Sequence, residues 1–467
     1  MPHPWKNFIL WFAQEHVDFR KAEILSIINL LNIEFKSVDT GSEKPFWIVE
    51  LRGEEAARKI ASRSVSLRCV LEFWAHSKSK ENIHSKINEY FKSRQAEVLP
   101  MFSAEKSFKI TVETYNKHFS QKEKVEKIEA FTYLPFEGDV ELKSPDVEWW
   151  YIEFWGLNPR EVPEEPYDVL FGRWIADGRR NLIKELSLKK RKFIGNTSMD
   201  AQLSLLMANQ AMVQQGHFVF DPFVGSGSLL VSAAKFGAFV LGADIDYLMV
   251  HAKSRPSRIT QKVREKDESI RANLKQYNCE QYYIDAVVTD FSNSIWRDEL
   301  LFDSIITDPP YGIRESTEKV ELKIPTKPIK KDNNVPHYPS TSHYSLQSLY
   351  SDLLEFSAKH LRLNGRLVCW LPIFRDDYSE EIIPRHENLK LIYNCEQILT
   401  GMTSRRLLTY EKISEPTFDP EAPKVAVCDF RSKYFSYGEE TRAERRIKRA
   451  QLREIGRIEA VKRGKEL

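Results

Sequence analysis

Four short runs that each close on an aspartate constrain this chain more than any other feature: His217 to Asp221, Phe239 to Asp244, Ala286 to Asp290 and Ser304 to Asp308. Each reads as a strand, and helical patterns separate most of them. Three further strands follow at Gly365 to Leu371, Lys390 to Ile398 and Leu407 to Glu411, the last two joined by a loop alone. Strand–helix alternation predicts an α/β domain with a mostly parallel sheet covered on both faces, and the closing pair predicts an antiparallel edge. In such sheets ligands sit beyond the carboxyl ends of the strands, where these aspartates fall. Thr197 or Ser198 is positioned to cap a helix running to about Val213.

The rest of the chain is organised around that region. At 467 residues it holds more than one core, since ~150 residues per domain is the usual scale. Residues 1–165 mix helix and strand signals: Ile24, Ile27, Ile28 and Leu31 recur at helical spacing, Phe46 to Leu51 reads as a strand, Asn82 to Phe91 as a helix and Phe108 to Tyr115 as a strand. This is an α+β module. Residues 156–167 concentrate Pro, Gly and acid, so the domain boundary is expected at 165/166, with the α/β domain over 166–430. Within it, 313–345 carries five Lys and four Pro without a sustained period and reads as a long mobile loop. Residues 431–467 are expected to be a charged basic C-terminal helix or tail, in which Ile447, Leu452, Ile455, Ile458 and Val461 make a thin apolar stripe.

Composition excludes several classes. Hydrophobic residues at 42% and charged residues at 29% rule out a wholly disordered, collagenous or coiled-coil chain. No apolar run reaches the ~18 residues of a membrane-spanning helix. The N-terminal stretch lacks a basic leader and a small-residue cleavage site, so a cytoplasmic protein is expected. Cys69, Cys279, Cys369, Cys395 and Cys428 lie far apart without metal-ligand spacing and read as reduced core residues; no metal site is expected. Net charge is only +2, yet residues 179–192 carry seven bases against one acid, Lys78 to Lys127 eleven against seven, and 431–467 twelve against six. Each could be a solvated face; three around one α/β core favour a nucleic-acid partner.

Four segments carry chemistry. Asp221-Pro222-Phe223-Val224-Gly225-Ser226-Gly227 ends a strand in a glycine turn that opens a helix, where a ligand can approach the backbone. It is neither a Walker loop nor the full dinucleotide fingerprint, which disfavours a nicotinamide-dependent dehydrogenase. Next, Asp244 and Asp246 close the following strand about 20 residues on, where a carboxylate can accept both hydroxyls of a ribose. Asp290-Phe291 could meet an adenine amine and pack on the base. Most specific is Asp308-Pro309-Pro310-Tyr311-Gly312: two prolines lack donors and fix the turn, so the Asp308 carboxylate and the Pro309 carbonyl can face one NH₂ group while Tyr311 offers a stacking face.

Together these motifs resemble the amino-modifying class of S-adenosylmethionine-dependent methyltransferases. Phe171 to Arg179, Gly195 to Ser204, Asp308 to Glu315 and Ser404 to Leu408 make the chain similar to the catalytic subunit of tRNA guanine-10 N2-methyltransferases over about 165–411, with a THUMP-type RNA-binding region ahead of it. Ser226 stands where that family often has Thr. The resemblance implies a Rossmann-like class I domain, S-adenosylmethionine as cofactor, tRNA as substrate and a small zinc-binding activator subunit as partner. By the same resemblance Asp221, Gly225 and Gly227 border the methionine moiety, Asp244 holds the ribose with Asp246 as second candidate, and Asp290 meets the adenine beside Phe291. Asp308, Pro309 and Tyr311 hold guanine, and Arg314, Arg405 and Arg406 contact phosphate. Lys189, Lys190, Arg191 and Lys192 are expected to grip the tRNA backbone. Two other readings stay open on the residues alone: a DNA adenine or protein glutamine methyltransferase, and a non-catalytic RNA-binding module.

Overall fold

The computed structural model describes residues 4–37, 43–321, 339–416, 422–427 and 430–436, with 446–447, 450–451 and 454–455. It divides into two compact units that meet in sequence between Arg180 and Asn181.

The first unit is built on a seven-stranded sheet of β1 (Lys6–Phe12), β2 (Phe35–Ser37), β3 (Phe46–Leu51), β4 (Leu67–Ser77), β5 (Phe108–Tyr115), β6 (Val147–Phe154) and β7 (Asp168–Asp177). The order is β2-β3-β1-β4-β7-β6-β5, antiparallel except for β5 beside β6. Strand β1 shows why it forms: Phe8, Leu10 and Phe12 pack with Ile24, Ile28 and Ile60, while Ile9 and Trp11 enter a separate apolar cluster with Leu71 and Ile152. A period-two strand that buries both faces needs an unbroken apolar run, which Phe8 to Phe12 provides. Strand β7 corrects the expected boundary. It lies between β4 and β6, so the first unit extends past the Pro-rich 156–167 connection to Arg180. That connection joins two strands of one sheet.

The second unit contains β8 (Phe218–Asp221), β9 (Phe239–Asp244), β10 (Tyr283–Val288), β11 (Phe302–Thr307), β12 (Glu318–Val320), β13 (Thr341–His343), β14 (Leu361–Phe374), β15 (Leu389–Ile398) and β16 (Thr403–Lys412). Seven of these form a sheet of order β10-β9-β8-β11-β14-β16-β15. The first five run parallel, and β16 is antiparallel to both β14 and β15. This is the expected Rossmann-like arrangement with its antiparallel edge. Inside 313–345 the expected loop is partly ordered: β12 and β13 pair antiparallel as a small ribbon, while 322–338 lie outside the described residues. Most of the apolar stripe expected in 431–467 also lies outside them; Ile447 and Ile455 are exposed.

Local chemistry moved one helix start. The helix Ala201–Gln210 is capped by Asp200, whose carboxylate accepts from the Leu203 amide at 3.0 Å. Ser198 instead accepts from the Gly195 amide at 2.8 Å. The described cysteines, Cys69, Cys279, Cys369 and Cys395, are buried free thiols, and Cys428 lies outside the described residues.

Candidate active site

Strand order reverses between β8 and β11, so the chains leaving their carboxyl ends diverge and open a crevice. A cleft of about 560 Å³ lies there, lined by Gly225, Asp244, Asp246, Asp290, Phe291 and Asp308 among others. That volume falls in the range of small-molecule sites. Three of the four aspartates that end the runs therefore converge on one space.

The fourth, Asp221, sits behind it. It is 2% exposed and accepts from the Thr307 hydroxyl at 2.7 Å and the Phe223 amide at 3.1 Å, which ties the glycine turn to the end of β11. Burial pushes its carboxyl up to about 8, with Asp244 and Asp308 adding to the rise. Gly225 reaches the cleft with φ +48°, and a Cβ there would enter open space. Gly227, also at positive φ, does not: a Cβ would come within 2.7 Å of Ile270, so this glycine permits packing at the helix start and not ligand approach.

Asp244 organises the adjacent wall. One carboxylate oxygen accepts from the Gly225 amide at 2.8 Å and the other from the Asp246 amide at 3.0 Å. Since a carboxylate can accept about four hydrogen bonds, lone pairs remain for a ligand. Burial raises its carboxyl to about 6. Asp246 lines the cleft but is also a helix cap, accepting from the Met249 amide at 3.0 Å. Asp290, two residues beyond the end of β10, accepts from the Ser292 amide at 2.9 Å and the Val320 amide at 2.7 Å, which fastens β12 to this wall. Phe291 packs on Phe223 and Phe356 at centroid distances of 5.1 and 5.3 Å.

At the opposite wall Asp308 accepts from the Tyr311 hydroxyl and, at 3.2 Å, from Arg405. Burial raises its carboxyl, and Arg405 and Tyr311 hold the rise in check. Here the expected orientation needs correction. Pro310 and not Pro309 lines the cleft, and the Tyr311 ring packs against the core while its hydroxyl serves Asp308. Burial drives that phenol well above its usual range.

The basic candidates separate. Arg314 is exposed and lines the cleft. Arg405 is 13% exposed and paired with Asp308, so it is no surface phosphate contact. Its neighbour Arg406 points to the other face of β16, toward Glu396 at 3.5 Å and over the Tyr378 ring at 3.7 Å, because successive strand residues alternate. Arg191 is fully buried, donating to the Ser228 hydroxyl at 2.8 Å and the Leu186 carbonyl at 2.9 Å. Lys189, Lys190 and Lys192 are exposed, with Lys192 paired to Asp267. The Thr307 bond to Asp221 and the Arg405 pairing with Asp308 are contacts of the site that no local motif announced; Arg405 lies 97 residues from Asp308.

Comparison with known proteins agrees with this layout. Residues 6–180 match the Tmrp11 THUMP N-terminal domain, and 189–324 match the RMKL-like methyltransferase domain. The tRNA (guanine(10)-N(2))-methyltransferase TRMT11 of Gallus gallus is 45% identical over 443 residues, covering 92% of this chain and 95% of its own. That of Homo sapiens is 45% identical with the same coverage, and the Saccharomyces cerevisiae enzyme is 35% identical, covering 92% and 99%. The chain belongs to the tRNA (guanine(10)-N(2))-methyltransferase family. Among solved structures, TrmN from Thermus thermophilus aligns at TM-score 0.43 and 15% identity over 87% of this chain and 100% of that one. The match to the THUMP N-terminal domain ends at Arg180, where the N-terminal stretch of the first compact unit also ends.

Proposed function

We propose that this chain transfers a methyl group from S-adenosylmethionine to the exocyclic N2 amine of guanosine 10 in tRNA. One observation carries the reading: Asp244 and Asp308, from strands on either side of the switch point, line a single cleft. The residues fit the cofactor. Gly225 leaves space that a side chain would fill, Asp244 keeps acceptor capacity for ribose hydroxyls, and Asp290 with Phe291 offers an acceptor and an aromatic face for adenine. When bound, S-adenosylmethionine supplies an electrophilic methyl group.

This chain's residues do the positioning. Asp308 accepts from the guanine amine and aims its lone pair, and its negative charge stabilises the nitrogen as it becomes cationic. Asp221 is set back from the cleft and holds the turn through Thr307. Gly227 supports the helix start. The proline turn places Asp308, with Pro309 buried and Pro310 at the cleft. Arg314 at the cleft, with Lys189, Lys190 and Lys192, meets the tRNA backbone. The 253–266 segment is held beside these lysines: Arg258 donates to the Lys192 carbonyl at 3.0 Å and Arg264 to the Ile194 carbonyl at 3.2 Å.

The partner is a small zinc-binding activator subunit, with this chain as the catalytic member of a heterodimer in the cytoplasm. An uncovered sheet edge favours such a partner: β10 ends the sheet, with Ile284 49% and Val288 38% exposed. No helix among the described residues is long and apolar enough to cross a membrane. Assays with radiolabelled cofactor on tRNA, duplex DNA and peptide test the reading. Label in N2-methylguanosine at position 10 is the expected result; label in methyladenine or methylglutamine alone would overturn it.

A further inference from the structure

Arg405 is spent on the interior in an unusual way. Its guanidinium lies over the Trp370 ring at 4.0 Å, and its Nε donates to the Gln397 side chain at 2.7 Å. One Nη then reaches both the Asp308 carboxylate at 3.2 Å and the Tyr311 hydroxyl at 3.4 Å. The indole face and the amide from β15 thus fix the plane of the guanidinium before it meets the acid. Burial works against the Arg405 charge, but its hydrogen bond to the Tyr311 oxygen and the charge of Asp308 outweigh it and leave the group more basic than usual.

From this geometry we infer that Arg405 is the positioning residue of the methyl-transfer site, holding the Asp308 carboxylate ionised and aimed while making no contact with substrate itself. The inference rests on the methyltransferase reading above. Asp308 needs such a partner. Burial favours its neutral form, and Glu315 adds to that; Asp221 from β8 is a further acidic neighbour. The Cys369 thiol on β14 and the Tyr350 phenol on helix Leu346–His360 also face it, and burial keeps both neutral. Tyr311 offers a hydrogen bond but no charge. Arg405 is the cation that Asp308 pairs with among the described residues. A protonated Asp308 would lose one acceptor and could not stabilise a nitrogen that becomes cationic.

The sign follows. Without Arg405 the carboxyl of Asp308 titrates higher, so turnover at neutral pH falls and partly returns as pH rises. Arg405→Met should lower kcat at pH 7 by ~10- to 100-fold, leave cofactor affinity by calorimetry near that of the parent, and move the acid limb of the kcat profile up by about one unit or more. Arg405→Lys should recover part of the rate, because the charge returns without the planar fork. Gln397→Leu, which removes only the brace, should shift the limb in the same direction by less and guards against a misfolded Arg405 variant.

Carbon-13 NMR titration of labelled aspartate, with Asp308 assigned by its loss in Asp308→Asn, reads the carboxyl directly and without turnover. A higher midpoint in both variants is expected. An unchanged Asp308 midpoint, or a kcat profile lowered equally at all pH values, would overturn the inference. So would a loss confined to the KM for tRNA, which is what a phosphate contact predicts. If the parent itself does not methylate tRNA, the function reading fails while the NMR titration still decides the role of Arg405.

Discussion

Asp168 in the first unit and the pair Asp221 and Asp244 in the second are buried acids treated in opposite ways. In the first unit Asp168, 1% exposed, accepts from Lys44 and His76, each at 2.8 Å, and these partners outweigh burial and hold its carboxyl below the usual range. Arg173 likewise clamps Glu72 at 2.9 Å and Glu54 at 2.7 Å. In the second unit Asp221 and Asp244 pair with no cation among the described residues, and burial raises them to about 8 and 6. Acids that hold the fold are neutralised in place. Asp221 and Asp244 at the strand ends lack counter-charge among the described residues, whereas Asp308 keeps Arg405.

The sharpest way to break the contrast is Asp308→Ala. It should reduce methyl transfer more than ~100-fold while cofactor binding persists, since one positioned polar group is lost from the substrate side. Near-parent turnover would remove Asp308 from the chemistry. Next in size, Asp168→Asn should cost ~2 kcal/mol of stability by leaving Lys44 and His76 short of a charge, with kcat of the folded protein unchanged. Its pH dependence has a definite sign. A carboxyl lowered on folding stabilises above its unfolded value and loses that contribution as pH falls through the folded value, so parent and variant should converge in denaturant melts below about pH 4. A gap that widens on acidification would contradict the pairing. Smaller again, Asp244→Ala should weaken S-adenosylmethionine about tenfold with tRNA affinity unchanged; calorimetry showing equal cofactor affinity would exclude it.

How much of this was legible in the sequence follows the same division. The runs ending in Asp221, Asp244, Asp290 and Asp308 specified the parallel sheet, because period and spacing are local properties. Whether an acid faces a cleft or its own turn depends on partners brought from elsewhere. Asp221 turned inward because Thr307, 86 residues on, supplies a hydroxyl. Adjacent Arg405 and Arg406 looked like one basic pair, and strand alternation placed them on opposite faces. Strand β7 could have begun the second domain as readily as closed the first; only its pairing with β4 and β6 decides.

The smallest expected effect concerns a basic run whose members the structure separates. Arg191 is core, held by Ser228 and Leu186, and its replacement would test folding and not RNA contact. Lys189, Lys190 and Lys192 are exposed, and Lys192 already has Asp267 as a partner, so its release costs part of any gain. Replacing these three with alanine while keeping Arg191 should therefore weaken tRNA binding modestly. Each lost phosphate contact should flatten the salt dependence of log K by ~0.7 to 0.9, and the Lys192 share should be the least. Base choice should not move, because phosphate contacts position the RNA without reading it. Titrating parent and variant with one tRNA at several salt concentrations separates the outcomes: converging lines support a backbone grip, whereas superimposed lines assign the run to solvent, alongside the surface ion pairs of the first unit.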